Sequence, residues 1–184
     1  TIQGDAASDW AGYSVSGAGD VNGDGIDDVL IGASGGDNGG AGAGEAYVVY
    51  GKASGISNVD LSSLTAADGF IIQGDMSYDV AGYSVSGAGD VNGDGIDDVI
   101  VGAHGGDDGG INAGEAYVVF GKASGFGTVD LAALKCTLAM MDRRDATGTR
   151  PSSASLPECT GVTAPASLPV CPLGDAACAP FSFR

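Results

Sequence analysis

An internal repeat of 70 residues constrains the fold of this 184-residue chain more than any other feature of its sequence. Residues 1–64 align with residues 71–134 without a gap, and 47 of the 64 aligned positions are identical. Repetition at a fixed period is typical of arrays in which each supersecondary unit buries its apolar face against its neighbours. The sequence therefore predicts a modular array with the same elements in both copies.

Short apolar runs within each period predict β-strands. In the first period they cover residues 13–16, 29–31, 46–50 and 70–72, and clusters of Gly, Asp and Asn separate them. Four strand-sized runs with turn-rich joints are typical of a propeller blade. Leu61 and Leu64, behind Asn58 or Asp60 as a cap, indicate one helical turn. Residues 1–5 match residues 71–75, so the chain is expected to open with the outer strand of a preceding blade.

A nine-residue acidic loop lies between the first two predicted strands of each repeat. It reads Asp-Val-Asn-Gly-Asp-Gly-Ile-Asp-Asp at residues 20–28 and recurs unchanged at residues 90–98. Oxygen atoms at alternate positions suit a hard cation such as Ca²⁺, which takes roughly six to eight oxygen ligands. The sequence predicts two Ca²⁺ sites, one per repeat. The expected ligands are the side chains of Asp20, Asn22, Asp24 and Asp28 with the carbonyl of Ile26, and those of Asp90, Asn92, Asp94 and Asp98 with the carbonyl of Ile96.

Two other interpretations of this loop are weaker. An EF-hand needs a Glu at position twelve and flanking helices, whereas this position holds Ile31 or Val101 and the flanks predict strands. An ion-free turn would also favour Asp, Asn and Gly, but the carboxylates of each loop would then repel one another. Asp27 and Asp97 are expected to stabilise the hairpin or to be peripheral.

The residues around the acidic loop resemble the FG-GAP repeat of integrin α-subunit β-propellers and their bacterial relatives. The resemblance rests on residues 11–15, 19–25 and 27–33 and on their counterparts from residue 81 to residue 103. Ala11 and Ala81 replace the Phe of the family pattern, and Ser34 and His104 replace the Pro of Gly-Ala-Pro. The resemblance implies an all-β fold with two four-stranded antiparallel blades of an incomplete FG-GAP β-propeller, followed by an irregular C-terminal tail.

The repeat and the change of composition near residue 134 predict a division of the chain into three segments. Residues 1–69 are predicted to form the first blade, starting with the outer strand of a preceding blade, and residues 70–134 the second. Residues 135–184 hold all six Pro and all four Cys of the chain. This tail is predicted to be disordered or the product of out-of-frame translation, and an oxidising compartment would allow two disulfides in any of three pairings.

Charge and apolar content exclude two classes of partner. The chain has a net charge of −17 with only seven Lys and Arg, which disfavours nucleic-acid binding. No apolar run is long enough for a transmembrane segment. The expected function is a Ca²⁺-binding, non-catalytic segment of an extracellular or cell-surface protein, in adhesion, ligand binding or scaffolding. Its expected partners are further FG-GAP blades and a protein or glycan ligand, and the alternative is an accessory propeller fragment of a secreted hydrolase or phospholipase.

Several patterns suggest catalysis but have simpler explanations. Residues 32–36 match G-x-S-x-G, yet the second repeat has His104 in place of Ser34, and no strand-to-helix context follows. The Asp5/Asp9 pair and its counterpart Asp75/Asp79 are expected to be surface charge rather than a glycosidase pair. Glu45 and Glu115 are expected to be exposed residues at the start of the third strand.

Overall fold

The structure, a computed structural model, describes residues 1–123 and 125–134 of the chain. Its strands are β1 (Ile2–Gln3), β2 (Ala11–Gly19), β3 (Asp28–Ala33), β4 (Glu45–Val49), β5 (Val59–Asp60), β6 (Gly69–Gln73), β7 (Ala81–Gly89), β8 (Asp98–Ala103), β9 (Glu115–Val119) and β10 (Val129–Asp130). A 3₁₀ helix covers Leu61–Ser63, and residues 131–134 are helical. The predicted tail, with its four cysteines, lies outside the described residues.

The first repeat folds into an antiparallel meander in the order β2-β3-β4-β6. Each strand contains all or most of one of the apolar runs identified in the sequence, so the predicted all-β blade is confirmed. The 3₁₀ helix coincides with the expected helical turn, and the Asp60 side chain caps it by accepting a hydrogen bond of 3.0 Å from the Ser62 amide.

A short parallel pairing extends the outer edge of this blade. In the second repeat, β10 pairs with the end of β6 through Val129 with Ile72 and Asp130 with Gln73. One period earlier, β5 pairs with β1 in the same way, through Val59 with Ile2 and Asp60 with Gln3. The opening strand therefore corresponds to the end of an outer strand, as its sequence predicts.

The second repeat forms a sheet of three strands, in the order β7-β8-β9, within the described residues. Its register repeats that of the first sheet, since Val101 pairs with Val85 and Tyr117 as Ile31 pairs with Val15 and Tyr47. The counterpart of β6 would fall after residue 134, beyond the described part of the chain.

One apolar layer holds the two repeats together, and another covers the opposite face of the first sheet. Leu30 and Val48 on one face of the first sheet pack in a buried cluster with Val99, Val101 and Val119 of the second. The opposite face of the first sheet forms another cluster, which contains Ile31, Tyr47, Val49 and Leu61. Because both faces are covered, every residue of β4 is buried.

The face of the second sheet that points away from the first sheet is not covered by the described residues. Val118 is 39% exposed and Phe120 is 53% exposed, whereas their counterparts in the first repeat, Val48 and Tyr50, are buried. Within the described residues, no helix has the length and apolar character that crossing a membrane would require.

Candidate metal centre

The acidic loop of each repeat joins the first two strands at one end of the sheet. The first loop connects the end of β2 at Gly19 to the start of β3 at Asp28. Gly23 and Gly25 have φ values of 72° and 86°, which residues other than glycine rarely adopt. These two residues let the chain turn tightly enough for the polar side chains of the loop to face its own backbone.

Side-chain oxygens of the first loop gather around its amide groups. The Asp24 amide donates to Asp20 Oδ1 and to Asn22 Oδ1, each at 2.9 Å. Asp20 Oδ2 accepts from the Gly25 amide at 2.8 Å, and Asp24 Oδ1 accepts from the Ile26 amide at 2.9 Å. Since one amide donates to both Asp20 and Asn22, the structure brings these two predicted ligands close together.

Asp28, the last predicted ligand of this loop, is buried and held by two backbone amides. Its Oδ1 accepts from the Gly51 amide at 2.8 Å and its Oδ2 from the Val21 amide at 3.0 Å. Burial raises the pKa of Asp28 to about 6, and the charges of Asp24 and Asp20 add to this shift while the two amides oppose it. A bound cation would favour the charged form at this position.

The second loop repeats the arrangement. Asp90 accepts hydrogen bonds from the amides of Gly93, Asp94 and Gly95, and these bonds, that from Gly95 foremost, lower the pKa of Asp90. Asp94 accepts from the Ile96 amide at 2.9 Å. Asp98 is held as Asp28 is, by the amides of Val91 and Gly121 at 2.9 and 2.8 Å.

Asp97 links the two loops, a role that its sequence position does not reveal. Its Oδ2 accepts from the Asp20 amide at 2.9 Å, and its own amide donates to the Asp20 carbonyl at 3.2 Å. Nearby, the Lys122 amide donates to the Val21 carbonyl at 3.0 Å. Asp97 therefore stabilises the contact between consecutive repeats, and not only its own hairpin.

A second acidic cluster, which we call the acid triad, lies at the other end of each sheet. It consists of Asp5, Asp9 and Glu45 in the first repeat, with one carboxylate oxygen of each within 4.8 Å of the others. Asp75, Asp79 and Glu115 form the same arrangement in the second repeat. Among the described residues, these two sets are the groups of three or more acidic, His or Cys side chains gathered this closely.

The expectation that these acids are exposed surface charge is wrong for the buried members of the triad. Glu45 is 0% exposed and Asp9 is 7% exposed. Glu45 Oε1 accepts from the Asn38 amide at 2.8 Å, and its Oε2 accepts from the Tyr47 hydroxyl at 2.5 Å. Burial of Asp9, together with the charges of Asp5, Glu45 and Asp37, raises the pKa of the Asp9 carboxyl group.

The residues that mimic a catalytic pattern occupy unlike surroundings. Ser34 is buried, whereas its counterpart His104 is exposed and packs against the Tyr83 ring with 4.4 Å between the ring centroids. The two residues belong to different repeats and occupy equivalent positions in them.

The donor chemistry of the acidic loops fits Ca²⁺. All the side-chain donors are oxygen atoms, which is the ligand type that this ion prefers. The two lysines of the described residues are engaged elsewhere, since Lys52 forms an ion pair with Asp68 and Lys122 lies over the Phe126 ring. The loop carboxylates are thus left without a lysine to neutralise them.

A meander of four antiparallel strands is the sheet of a propeller blade. The family model of the FG-GAP repeat matches the chain twice, at residues 11–49 and 81–119. Both matches run from the start of the first strand of a sheet to the end of its third, so the chain contains two FG-GAP repeats. No curated protein matches the chain.

Proposed function

We propose that the chain is a Ca²⁺-binding, non-catalytic segment of an FG-GAP β-propeller that belongs to an extracellular or cell-surface protein. It would act in adhesion, in ligand binding or as a scaffold, with one Ca²⁺ in each acidic loop. The observation that carries this proposal is the pair of identical loops, in each of which an Asp and an Asn accept from one amide. FG-GAP repeats commonly bind this ion.

The role proposed for Ca²⁺ is structural. In the first loop, the ion would contact Asp20, Asn22, Asp24, the carbonyl of Ile26 and Asp28. The equivalent ligands in the second loop are Asp90, Asn92, Asp94, the carbonyl of Ile96 and Asp98. These residues come from the end of one strand and the start of the next, so an ion bound to them would tie together the first two strands of each blade.

The open apolar face of the second sheet supports further blades as partners. Val118 and Phe120 occupy the positions at which Val48 and Tyr50 pack under a neighbouring sheet. We propose that another blade covers this face in the complete propeller. Residues 1–69 and 70–134 would then be two successive periods of a longer array.

An extracellular setting is consistent with the expected affinity. Extracellular Ca²⁺ modules bind with Kd of roughly 10⁻⁴ to 10⁻³ M, which requires abundant Ca²⁺. At about 10 mM Ca²⁺, such a site adds about 1.4 to 2.7 kcal/mol to the free energy of unfolding. A chelator should therefore lower the Tm by several degrees, because about 1 kcal/mol shifts the Tm of a chain of this size by about 2 to 4 °C.

The experiment compares thermal unfolding with and without a chelator for the full chain, one double variant and one single control variant. Asp24→Ala/Asp94→Ala should lose part of the Ca²⁺-dependent rise in Tm, because each substitution removes an expected ligand. Asp27→Ala is a matched control in the same loop, since Asp27 is exposed and is not an expected ligand. An identical Ca²⁺ response in Asp24→Ala/Asp94→Ala and in the unmodified chain would contradict the proposed loop sites.

A further inference from the structure

The acid triad brings together two separate segments of the first repeat. Asp5 and Asp9 lie in the connection between β1 and β2, whereas Glu45 is the first residue of β4. In the sheet, Glu45 pairs with Ala33, which in turn pairs with Ala11. The triad therefore lies at the start of β2 and the end of β3. The acidic loop lies at the opposite end of β3, roughly 17 Å away at about 3.3 Å per residue.

Two of the three carboxylates have an oxygen that accepts no hydrogen bond from the described residues. The Asp9 side chain is more than nine-tenths buried and accepts no hydrogen bond from the described part of the chain. Oδ1 of Asp5 is also buried and lacks a hydrogen-bond partner there. A buried carboxylate without a donor or a counter-charge is costly, so both groups point to a missing positive partner.

Glu45 is the member of the triad whose carboxylate is held in place by hydrogen bonds. Its two oxygens already accept from the Asn38 amide and the Tyr47 hydroxyl, which hold the carboxylate in place. Each oxygen keeps another lone pair that can face a cation. Neither lysine of the described residues serves the triad, because Lys52 pairs with Asp68 and Lys122 lies over Phe126.

The spacing of the oxygens allows one cation to contact all three carboxylates. Two ligands of one Ca²⁺ at about 2.3 to 2.6 Å from the ion are at most roughly 5 Å apart. The three carboxylate oxygens of the triad lie within 4.8 Å of one another, so one Ca²⁺ can contact all of them. Three carboxylates also match its preference for hard oxygen ligands.

We propose that each acid triad is a second divalent-cation site, with oxygen ligands of the kind that Ca²⁺ prefers, and that it is distinct from the acidic loop. The first site is formed by Asp5, Asp9 and Glu45, and the second by Asp75, Asp79 and Glu115. The second set connects the segment between β6 and β7 to the start of β9. β6 belongs to the first sheet and β7 to the second, so the connection between them joins consecutive blades. An ion in the second triad stabilises this connection by binding it to the start of β9.

The test counts bound Ca²⁺ by equilibrium dialysis and metal analysis in the full chain and three variants. The loop variant is Asp24→Ala/Asp94→Ala, the triad variant is Asp9→Asn/Asp79→Asn, and the third combines both pairs. With both kinds of site, the expected counts at saturation are four for the unmodified chain, two for each double variant and none for the combined variant. Far-UV circular dichroism checks that each variant is folded.

The counts separate the two proposals. If the triads bind no ion but the loops do, the unmodified chain and the triad variant both hold two ions and the loop variant holds none, which overturns the triad site. If only the triads bind, the loop variant keeps two ions and the triad variant holds none. Should Asp9→Asn/Asp79→Asn fail to fold, Asp5→Asn/Asp75→Asn replaces it, because Asp5 and Asp75 are only partly buried.

Discussion

A buried glutamate at the start of β4 requires a glycine in the loop that faces it. A Cβ atom on Gly36 would lie 2.5 Å from Cγ and Cδ of Glu45. Glu45 cannot easily move away, because Asn38 and Tyr47 hold its carboxylate. The second repeat has the same relation, with a Cβ atom on Gly106 lying 2.6 Å from Cδ of Glu115. These glycines are needed for space at the acid triad.

Substitution of Gly36 by alanine should therefore destabilise the chain. Overpacking of a buried site costs about 1 to 3 kcal/mol, which urea denaturation followed by far-UV circular dichroism can measure. Gly17→Ala is the matched control, because a Cβ atom on Gly17 would meet nothing within 4 Å. Equal free energies of unfolding for the two variants would show that Glu45 adjusts without cost.

The acidic loops could be predicted from the sequence, whereas the acid triad could not. The loop residues are consecutive, so their spacing alone suggests a common ligand. Asp9 and Glu45 are separated by two strands and meet only because β4 pairs with β3 and β3 with β2. The sequence does contain one usable signal, since Asp5, Asp9 and Glu45 all recur one period later. Asp5 and Asp9 recur although the residues between them differ in the two repeats.

At the scale of elements, a short segment of each repeat closes the outer edge of the blade before it. β10 pairs with β6, and the helical residues that follow place Leu131 in the core between the sheets. One period earlier, Leu61 follows β5 and is buried in the same way. Two backbone pairs and one leucine thus attach each segment to the preceding outer strand.

Truncation of this leucine should weaken the attachment. Leu131 is 0% exposed, so Leu131→Ala should lower the free energy of unfolding by about 2 to 5 kcal/mol. Leu134→Ala is the control in the same segment, because Leu134 is 40% exposed and its loss should cost less than about 0.5 kcal/mol. Chemical denaturation of both variants measures the difference, and a cost for Leu131→Ala as small as that of Leu134→Ala would contradict the attachment.

The strands were predictable because their apolar runs are short, rich in β-branched and aromatic residues, and bounded by turn residues. The parallel pairs were not predictable. β5 and β10 have two residues each, too few to show a strand pattern, and their partners lie more than 50 residues away in the chain. The contact of Asp97 with Asp20 escapes prediction for the same reason, since it depends on how one repeat packs on the other.

At the scale of the whole array, identical sequences have unlike surroundings. The segment from Glu45 to Val49 recurs unchanged from Glu115 to Val119, but only the first copy is buried throughout. The difference comes from the neighbouring sheet, which covers Val48 and leaves Val118 exposed. Stability in such arrays depends on these interfaces as well as on the single repeat.

The open face should make the chain self-associate, and a charge placed there should prevent it. Val118→Lys is expected to reduce the associated fraction in sedimentation velocity with little change in Tm, because Val118 is already partly solvated. Val48→Lys, the same change at the equivalent buried position, should prevent folding by burying an unpaired charge. Unchanged association of Val118→Lys would show that this face does not mediate contact between copies.

The pairing of β10 with β6 also sets an order of events during synthesis. Val129 follows its partner Ile72 by about 57 residues, which a ribosome adds in about 3 to 11 s at roughly 5 to 20 residues per second. During this interval, the outer strand of the first blade lacks the segment that completes its edge. The outer edge of one repeat is therefore complete only after most of the next repeat has been synthesised. Native pairing at this edge follows translation by about one repeat.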